Sequence, residues 1–280
     1  SNFGCSVFEF SVFAESTSDT IIGPVIEVSN PIRIAMQQGS APVAHPIVLV
    51  NNGDIDAIIE SVTVDSEHFI VSGESGTIPA GNSSNSWTIR PAPDLEPGTY
   101  VGVITVTYNS GLTATAEVEL RVSPPKTNIA LASNGAEASA SSHYSQDHAA
   151  GMANDGDFET RWAAAAGKLA DEWLMVALPE NKRIDEVRVA AYFNRLRYKV
   201  EYSVDGEEWL VFLPPTETVV SDNTYLLDEA VEAKYVKVTI VDSFGQGISL
   251  WEFAVYEALG QPSDDEGEEP GGGGPVDGGN

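Results

Sequence analysis

A single cysteine, Cys5, stands among 280 residues, so no internal disulfide framework is available to the chain. Basic residues are also scarce. Fourteen Lys and Arg face 42 Asp and Glu, a formal charge of −28. Phosphate backbones and anionic membrane surfaces are held by Lys and Arg, so this balance opposes nucleic acid and disfavours membrane docking. A neutral ligand suits it better. No apolar run approaches the length that spans a bilayer. The N-terminus lacks a basic segment followed by an apolar one, and no signal peptide is read there. Catalytic signatures are missing as well. The sequence holds no Gly-x-Ser-x-Gly, no His-Glu-x-x-His and no Cys/His pairing. Carboxylate pairs are unavoidable in so acidic a chain and point to no glycosidase cleft. No catalytic residue is expected.

What is present reads as all-β. Residues 1–22 carry one strand-like alternation, Ser6-Val-Phe-Glu-Phe-Ser-Val-Phe-Ala14, which is either the last strand of an upstream domain or the first of the next. Residues 23–123 show short apolar or alternating runs separated by Asn51-Asn-Gly, Ser72-Gly, Pro79-Ala-Gly, Glu96-Pro-Gly and Asn109-Ser-Gly. Turn chemistry at that spacing, with no helical period between, favours a sandwich. The clearest hairpin joins Tyr100–Tyr108 to Thr113–Val122 across Asn-Ser-Gly. Ser123-Pro-Pro-Lys-Thr127 reads as a stiff joint, since neither proline can continue a ladder. Residues 124–258 hold a second set of strands. From 259 to 280 the acidic, Gly/Pro-rich composition cannot bury a core, and the stretch is expected to be a flexible linker.

The segment most informative about chemistry is Ala153-Asn-Asp-Gly-Asp-Phe-Glu-Thr-Arg-Trp162. Asp155 and Asp157 flank a glycine, and Thr160 follows three residues later. Gly156 permits a tight bend, so both carboxylates, the hydroxyl and local carbonyls can converge on one hard cation. Taken alone the fragment reads better as a solvated Asp-Gly-Asp turn than as an ion site. It lacks the ligand spacing and closing glutamate of an EF-hand.

Two resemblances frame these readings. Residues 23–123 resemble the immunoglobulin-like connector modules of bacterial surface proteins, through Val48-Leu-Val-Asn-Asn-Gly, Ile78-Pro-Ala-Gly-Asn-Ser and Leu95-Glu-Pro-Gly-Thr-Tyr. Such modules act as spacers. Downstream, Asp155-Gly-Asp-x-x-Thr-Arg-Trp162, Glu172-Trp-Leu-Met-Val-Ala-Leu, Ile184-Asp-Glu-Val-Arg-Val, Tyr202-Ser-Val-Asp-Gly-Glu-Glu-Trp209, Ala233-Lys-Tyr-Val-Lys-Val and Ser249-Leu-Trp-Glu-Phe-Ala-Val-Tyr256 follow in order. That series resembles the discoidin, or coagulation factor 5/8 C-type, module, and in particular the family 32 carbohydrate-binding modules. The resemblance implies an eight-stranded jelly-roll-like sandwich in tandem with the first. It implies a structural calcium ion held by Asp155, Asp157, Thr160, the Ala153 carbonyl and Glu252. It also implies glycan binding by a non-catalytic part of a secreted or cell-surface bacterial protein, with galactose- or N-acetylgalactosamine-containing partners.

A sugar needs an aromatic face for its C–H side and planar polar groups for its hydroxyls. Trp162, Trp173 and Trp209 lie in or beside strand patterns and read as core. Tyr192-Phe193-Asn-Arg195 matches the spacing of the family's arginine-bearing loop, and Phe244 lies where the family places a stacking aromatic. Many galactose binders carry an Asn-Gly insertion after that arginine. Its absence here leaves Arg197 as the alternative arginine, or as the partner of a surface acid. His143 and Tyr144 are expected to border the site, and His148 to pack or cap its loop. The competing readings are an adhesive or structural protein–protein module, and the appended region of a glycoside hydrolase. Eukaryotic relatives dock on phosphatidylserine, but an isolated Phe244 in acidic surroundings opposes that.

Overall fold

The computed structural model describes residues 23–29, 32–218 and 220–259. The N-terminal alternation and most of the acidic tail lie outside the described residues. Nine strands precede the joint: β1 Ile26–Val28, β2 Ile32–Gln37, β3 His45–Asn51, β4 Ala57–Val64, β5 Phe69–Ser72, β6 Gly76–Ile78, β7 Ser83–Pro91, β8 Gly98–Tyr108 and β9 Leu112–Ser123. Seven follow it: β10 Glu137–Ala140, β11 Trp162–Ala163, β12 Glu172–Ala191, β13 Arg197–Ser203, β14 Leu210–Glu217, β15 Asp222–Asp242 and β16 Ser249–Glu257. Three sheets result, with strand orders β1-β3-β7-β5, β2-β9-β8-β4-β6 and β11-β16-β12-β15-β13-β14, the last also pairing β10 with β12. Among the described residues no helix is long and apolar enough to cross a membrane.

Two compact units interleave along the chain. Among the described residues, one takes those up to Ile32, Pro46–Arg90 and Val101–Val118; the other takes Arg33–His45, Pro91–Tyr100 and those from Glu119 onward. In the first, the expected Asn51-Asn-Gly turn forms for a physical reason. The fully buried Asn51 side chain accepts from the Val25 and Gly53 N–H groups and donates to the Ile55 and Ile78 carbonyls. A Cβ on Gly53 would lie 2.1 Å from the Gly23 carbonyl oxygen, so only glycine fits there.

The second unit holds the seven-stranded sheet, and two long strands turn that sheet into a sandwich. The first half of β12 pairs with β10 and with the end of β15; its second half pairs with β16 and with the start of β15. Register breaks between Ala177 and Lys182, and between Ile184 and Glu186, separate the halves. Bulges of this kind bend and twist a strand. The two halves then share one core, in which Leu174, Val176, Val200 and Val236 meet Val187, Val189, Phe253 and Val255. Eight separate strands were expected. Seven suffice because β12 and β15 each serve both layers.

The start of this sandwich is clipped to its end. Asn128 Oδ1 accepts from the Ala130 and Val255 N–H groups, and the Ile129 N–H donates to the Val255 carbonyl. Because β16 is fixed in this way, whatever its residues hold is held rigidly.

Candidate metal and ligand sites

The acidic loop folds as its turn residues require. Gly156 takes φ +80°, a conformation that L side chains rarely adopt, and a Cβ there would lie 3.3 Å from Leu131 Cδ2. Asp155 Oδ1 accepts from the Asp157 N–H at 2.9 Å, and Asp155 Oδ2 accepts from the Thr160 hydroxyl at 2.8 Å. Glu252 reaches the loop from β16, where its Oε2 accepts from the Gly156 N–H at 3.3 Å. The structure therefore gathers Asp155, Thr160 and Glu252. Asp157 turns elsewhere: its Oδ1 accepts from the Glu159 N–H at 2.8 Å, leaving its carbonyl to Thr160. Ala153 is fully buried beside them. Among the described residues no three Asp, Glu, His or Cys side chains close on a single point.

Two buried oxygens here have no donor, Glu252 Oε1 and Asn154 Oδ1. Glu252 is 3% exposed. Burial pushes its carboxyl up to about 7, with a further push from the Asp155 charge, against the pull of the Gly156 N–H, the Arg188 guanidinium and the Asn128 side chain. A buried carboxylate with an orphaned oxygen beside a second carboxylate is costly unless a cation neutralises it. An all-oxygen donor set of this kind fits a hard divalent ion such as calcium.

A second cluster gathers at the turns after β12 and β15. The Tyr192 N–H donates to the Ser249 carbonyl, and Phe193 packs on Gly247. Arg195 Nε donates to Glu217 Oε1 at 2.8 Å while its guanidinium carbon lies 3.9 Å from the Phe244 ring centroid. Phe244 itself sits at φ +52°, followed by Gly245 at +80°, with the Gln246 N–H donating to the Ser243 carbonyl at 3.0 Å. Both central residues are left-handed, as a type I′ turn demands. Asn-Gly is the usual solution. A phenylalanine there costs on the order of 1–2 kcal/mol.

Arg161 completes the cluster, and sequence reasoning passed over it. Its guanidinium carbon lies 4.2 Å from the Tyr192 ring centroid and 5.6 Å from that of Trp251, and Nη1 donates to Ser249 Oγ at 3.1 Å. Only its place within Thr-Arg-Trp signalled it, since spacing cannot say which distant rings a guanidinium will meet.

His143 and Tyr144 lie on a separate loop, both exposed, Tyr144 at 62%. The Tyr144 N–H donates to the Ala163 carbonyl, which places this loop two residues from Arg161. Glu172 anchors its base, accepting from the Ser141 and Ser142 hydroxyls and pairing with Lys168. Burial pushes the Glu172 carboxyl up, but those donors outweigh it and hold the group below its ordinary value. His148 packs the loop, with Nδ1 2.8 Å from Ser145 Oγ and its ring edge-on to Tyr144. Trp162 is fully buried and donates to the Ser142 carbonyl. Trp173 and Trp209 are half-buried, the latter beneath Lys237 at 3.6 Å. Arg197 is exposed on β13, opposite Glu217 and Asp242 in register. Tyr192, Phe193, Arg195 and Phe244 are thus brought together, whereas Arg197, His143 and Tyr144 flank them.

Comparison with known proteins gives a family-model match at residues 137–253, described as F5/8 type C domain. No curated protein sequence matches the chain. Among solved structures, the chain is similar to chitosan-binding module 1 of a chitosanase/glucanase from Paenibacillus sp. IK-5, at 30% identity and TM-score 0.42, covering 46% of this chain and 98% of that one. It is also similar to the family 32 CBM from C. perfringens NanJ in complex with galactose, at 24% identity and TM-score 0.42, covering 48% and 100% respectively. CpGH89CBM32-5 from Clostridium perfringens, in complex with GalNAc-β-1,3-galactose, gives 18% identity and TM-score 0.42 over 46% of this chain and 99% of that one.

Proposed function

Residues 137–253 belong to the F5/8 type C domain family, and from that premise we propose that the cluster of Tyr192, Phe193, Arg195 and Phe244 binds carbohydrate without catalysis. The observation that carries this reading is Phe244, a large apolar ring held at a left-handed turn position with a guanidinium stacked on it. The half-buried ring held at that cost offers its uncovered surface to sugar C–H groups, and Arg195 beside it offers planar donors for hydroxyl pairs. Tyr192, 44% exposed, adds a second aromatic surface. The formal charge of −28 favours neutral glycans. The similar modules from Clostridium perfringens and Paenibacillus extend the reading to a bacterial, secreted or cell-surface protein that carries this module as a targeting part.

A structural calcium ion belongs to the same reading. Asp155, Thr160 and Glu252 would hold it, with the Ala153 carbonyl and the Asp157 carbonyl or carboxylate nearby. Bound there, the ion would add positive charge beside the Asp155–Glu252 pair, which Arg188 offsets only in part. This chain's own residues then do the rest: Gly156 keeps the loop closed, and Glu252 ties it to the last strand.

The test is a glycan array that includes galactose, GalNAc-β-1,3-galactose and chitotriose, probed with the full chain and with Phe244→Ala. Wild type should retain at least one of these sugars. The variant should lose at least tenfold in affinity, about 1.4 kcal/mol, with its melting temperature preserved. Undiminished binding by Phe244→Ala would move the site off this turn.

A further inference from the structure

Two pairs of consecutive residues connect the acidic loop to the aromatic cluster. Thr160, whose hydroxyl donates to Asp155, is followed by Arg161, whose guanidinium stacks on Tyr192 and Trp251. Trp251 in turn precedes Glu252, whose carboxylate accepts from the Gly156 N–H. Neighbours along a strand point to opposite faces, so β16 presents Trp251 on one side and the buried Glu252 on the other. Ser249, on the same strand, accepts from Arg161 through its Oγ and from Tyr192 through its carbonyl. Arg161 thus touches both rings, whose centroids lie 5.2 Å apart, while its backbone neighbour contacts the acidic loop.

Resting on the calcium and glycan readings above, we infer that Arg161 is a positioning residue that couples cation binding at the acidic loop to the orientation of Tyr192. Closing Asp155, Thr160 and Glu252 on one ion sets the backbone at 160–161 and 251–252. Arg161, stacked on Tyr192 and beside Trp251, carries that setting to Tyr192 alongside the direct contact of the two rings. Coupling between two sites is reciprocal: a sugar bound on Tyr192 raises calcium affinity by the factor by which calcium raises sugar affinity.

The test uses the full chain, freed of metal by chelator and titrated with calcium chloride. Calorimetry reads calcium affinity. Carbon-13 resonances of labelled tyrosine rings read Tyr192, identified by its loss in Tyr192→Phe. Saturating calcium should shift the Tyr192 resonance in the wild type. In Arg161→Gln that shift should fall below half, the remainder passing through the direct Tyr192–Trp251 contact, while calcium affinity stays within threefold, an outcome that a purely structural arginine would not give. Should Arg161→Gln fail to fold, Arg161→Lys carries the same comparison, because it keeps the charge without the planar stack; its shift should fall below half. On the glycan array, chelator should lower wild-type signal at least fivefold. An absent heat of calcium binding, an unmoved Tyr192 resonance, a full shift persisting in the arginine variant, or a detectable array signal that is equal with and without calcium would each overturn the coupling. Array silence in both conditions, with the resonance still moving, would remove the glycan reading and leave the coupling standing.

Discussion

The acidic corner and the aromatic corner of the second unit solve opposite electrostatic problems. At the acidic corner, Glu252 is buried with one oxygen unmatched and Asp155 beside it. At the aromatic corner every arginine is already accommodated, Arg195 by Glu217 and Phe244, Arg161 by Ser249, Tyr192 and Trp251. The first corner holds two carboxylates close together, one of them buried. The second holds a half-buried Phe244 ring, covered by Arg195, at a left-handed turn position. An unpartnered buried charge therefore points to a ligand of opposite charge, and a satisfied but strained surface points to a neutral one.

The largest effect that would break this comparison is the pH dependence of the metal-free protein. Glu252 titrates at about 7 in the fold against 4.5 for the free side chain. A carboxyl raised on folding stabilises the fold below pH 4.5, and that contribution is lost as pH rises through 7. Denaturant unfolding in chelator should therefore show a loss on the order of 3 kcal/mol between pH 4.5 and pH 8. Calcium should reverse the trend, since it favours the ionised carboxylate. A metal-free protein equally stable at both pH values would show that Glu252 is not strained.

Glu252→Gln sharpens the same point. It keeps the shape and removes the charge, so in chelator at pH 8 it should be more stable than wild type by about 2–3 kcal/mol. It should also gain nothing from added calcium. A variant that is weaker in chelator and still stabilised by calcium would return the acidic corner to an ordinary turn.

At the aromatic corner the expected effects are smaller and of mixed sign. Phe244→Gly relieves the left-handed strain and should raise stability by about 1 kcal/mol in thermal unfolding, while glycan binding on the array is lost. A destabilised variant would mean that the ring is held by packing. Arg195→Ala should move stability least, by roughly 0.5 kcal/mol or less, because the pair with Glu217 is half exposed. Its glycan signal should still fall, which separates recognition from stability.

The sequence by itself determined the local devices of this protein. Asn51-Asn-Gly announced a turn, and the buried Asn51 side chain builds it. Gly156 announced the bend between Asp155 and Asp157, and its φ of +80° is that bend. Alternation along β8 and β9 and the apolar setting of Trp162 named core positions that are indeed buried. Each of these depends on a few adjacent residues, and short-range sterics act wherever the segment lies. Tertiary structure alone decided the meetings at a distance. Glu252 and Gly156 lie 96 residues apart, and the resemblance, not any pattern within the chain, was what suggested their encounter. The rings that enclose Arg161, the guanidinium that caps Phe244, and the bends that let β12 and β15 serve two layers left no periodic mark. Such contacts arise only when separate strands are brought into register, because a side chain's charge and reach do not specify which remote surface will receive it.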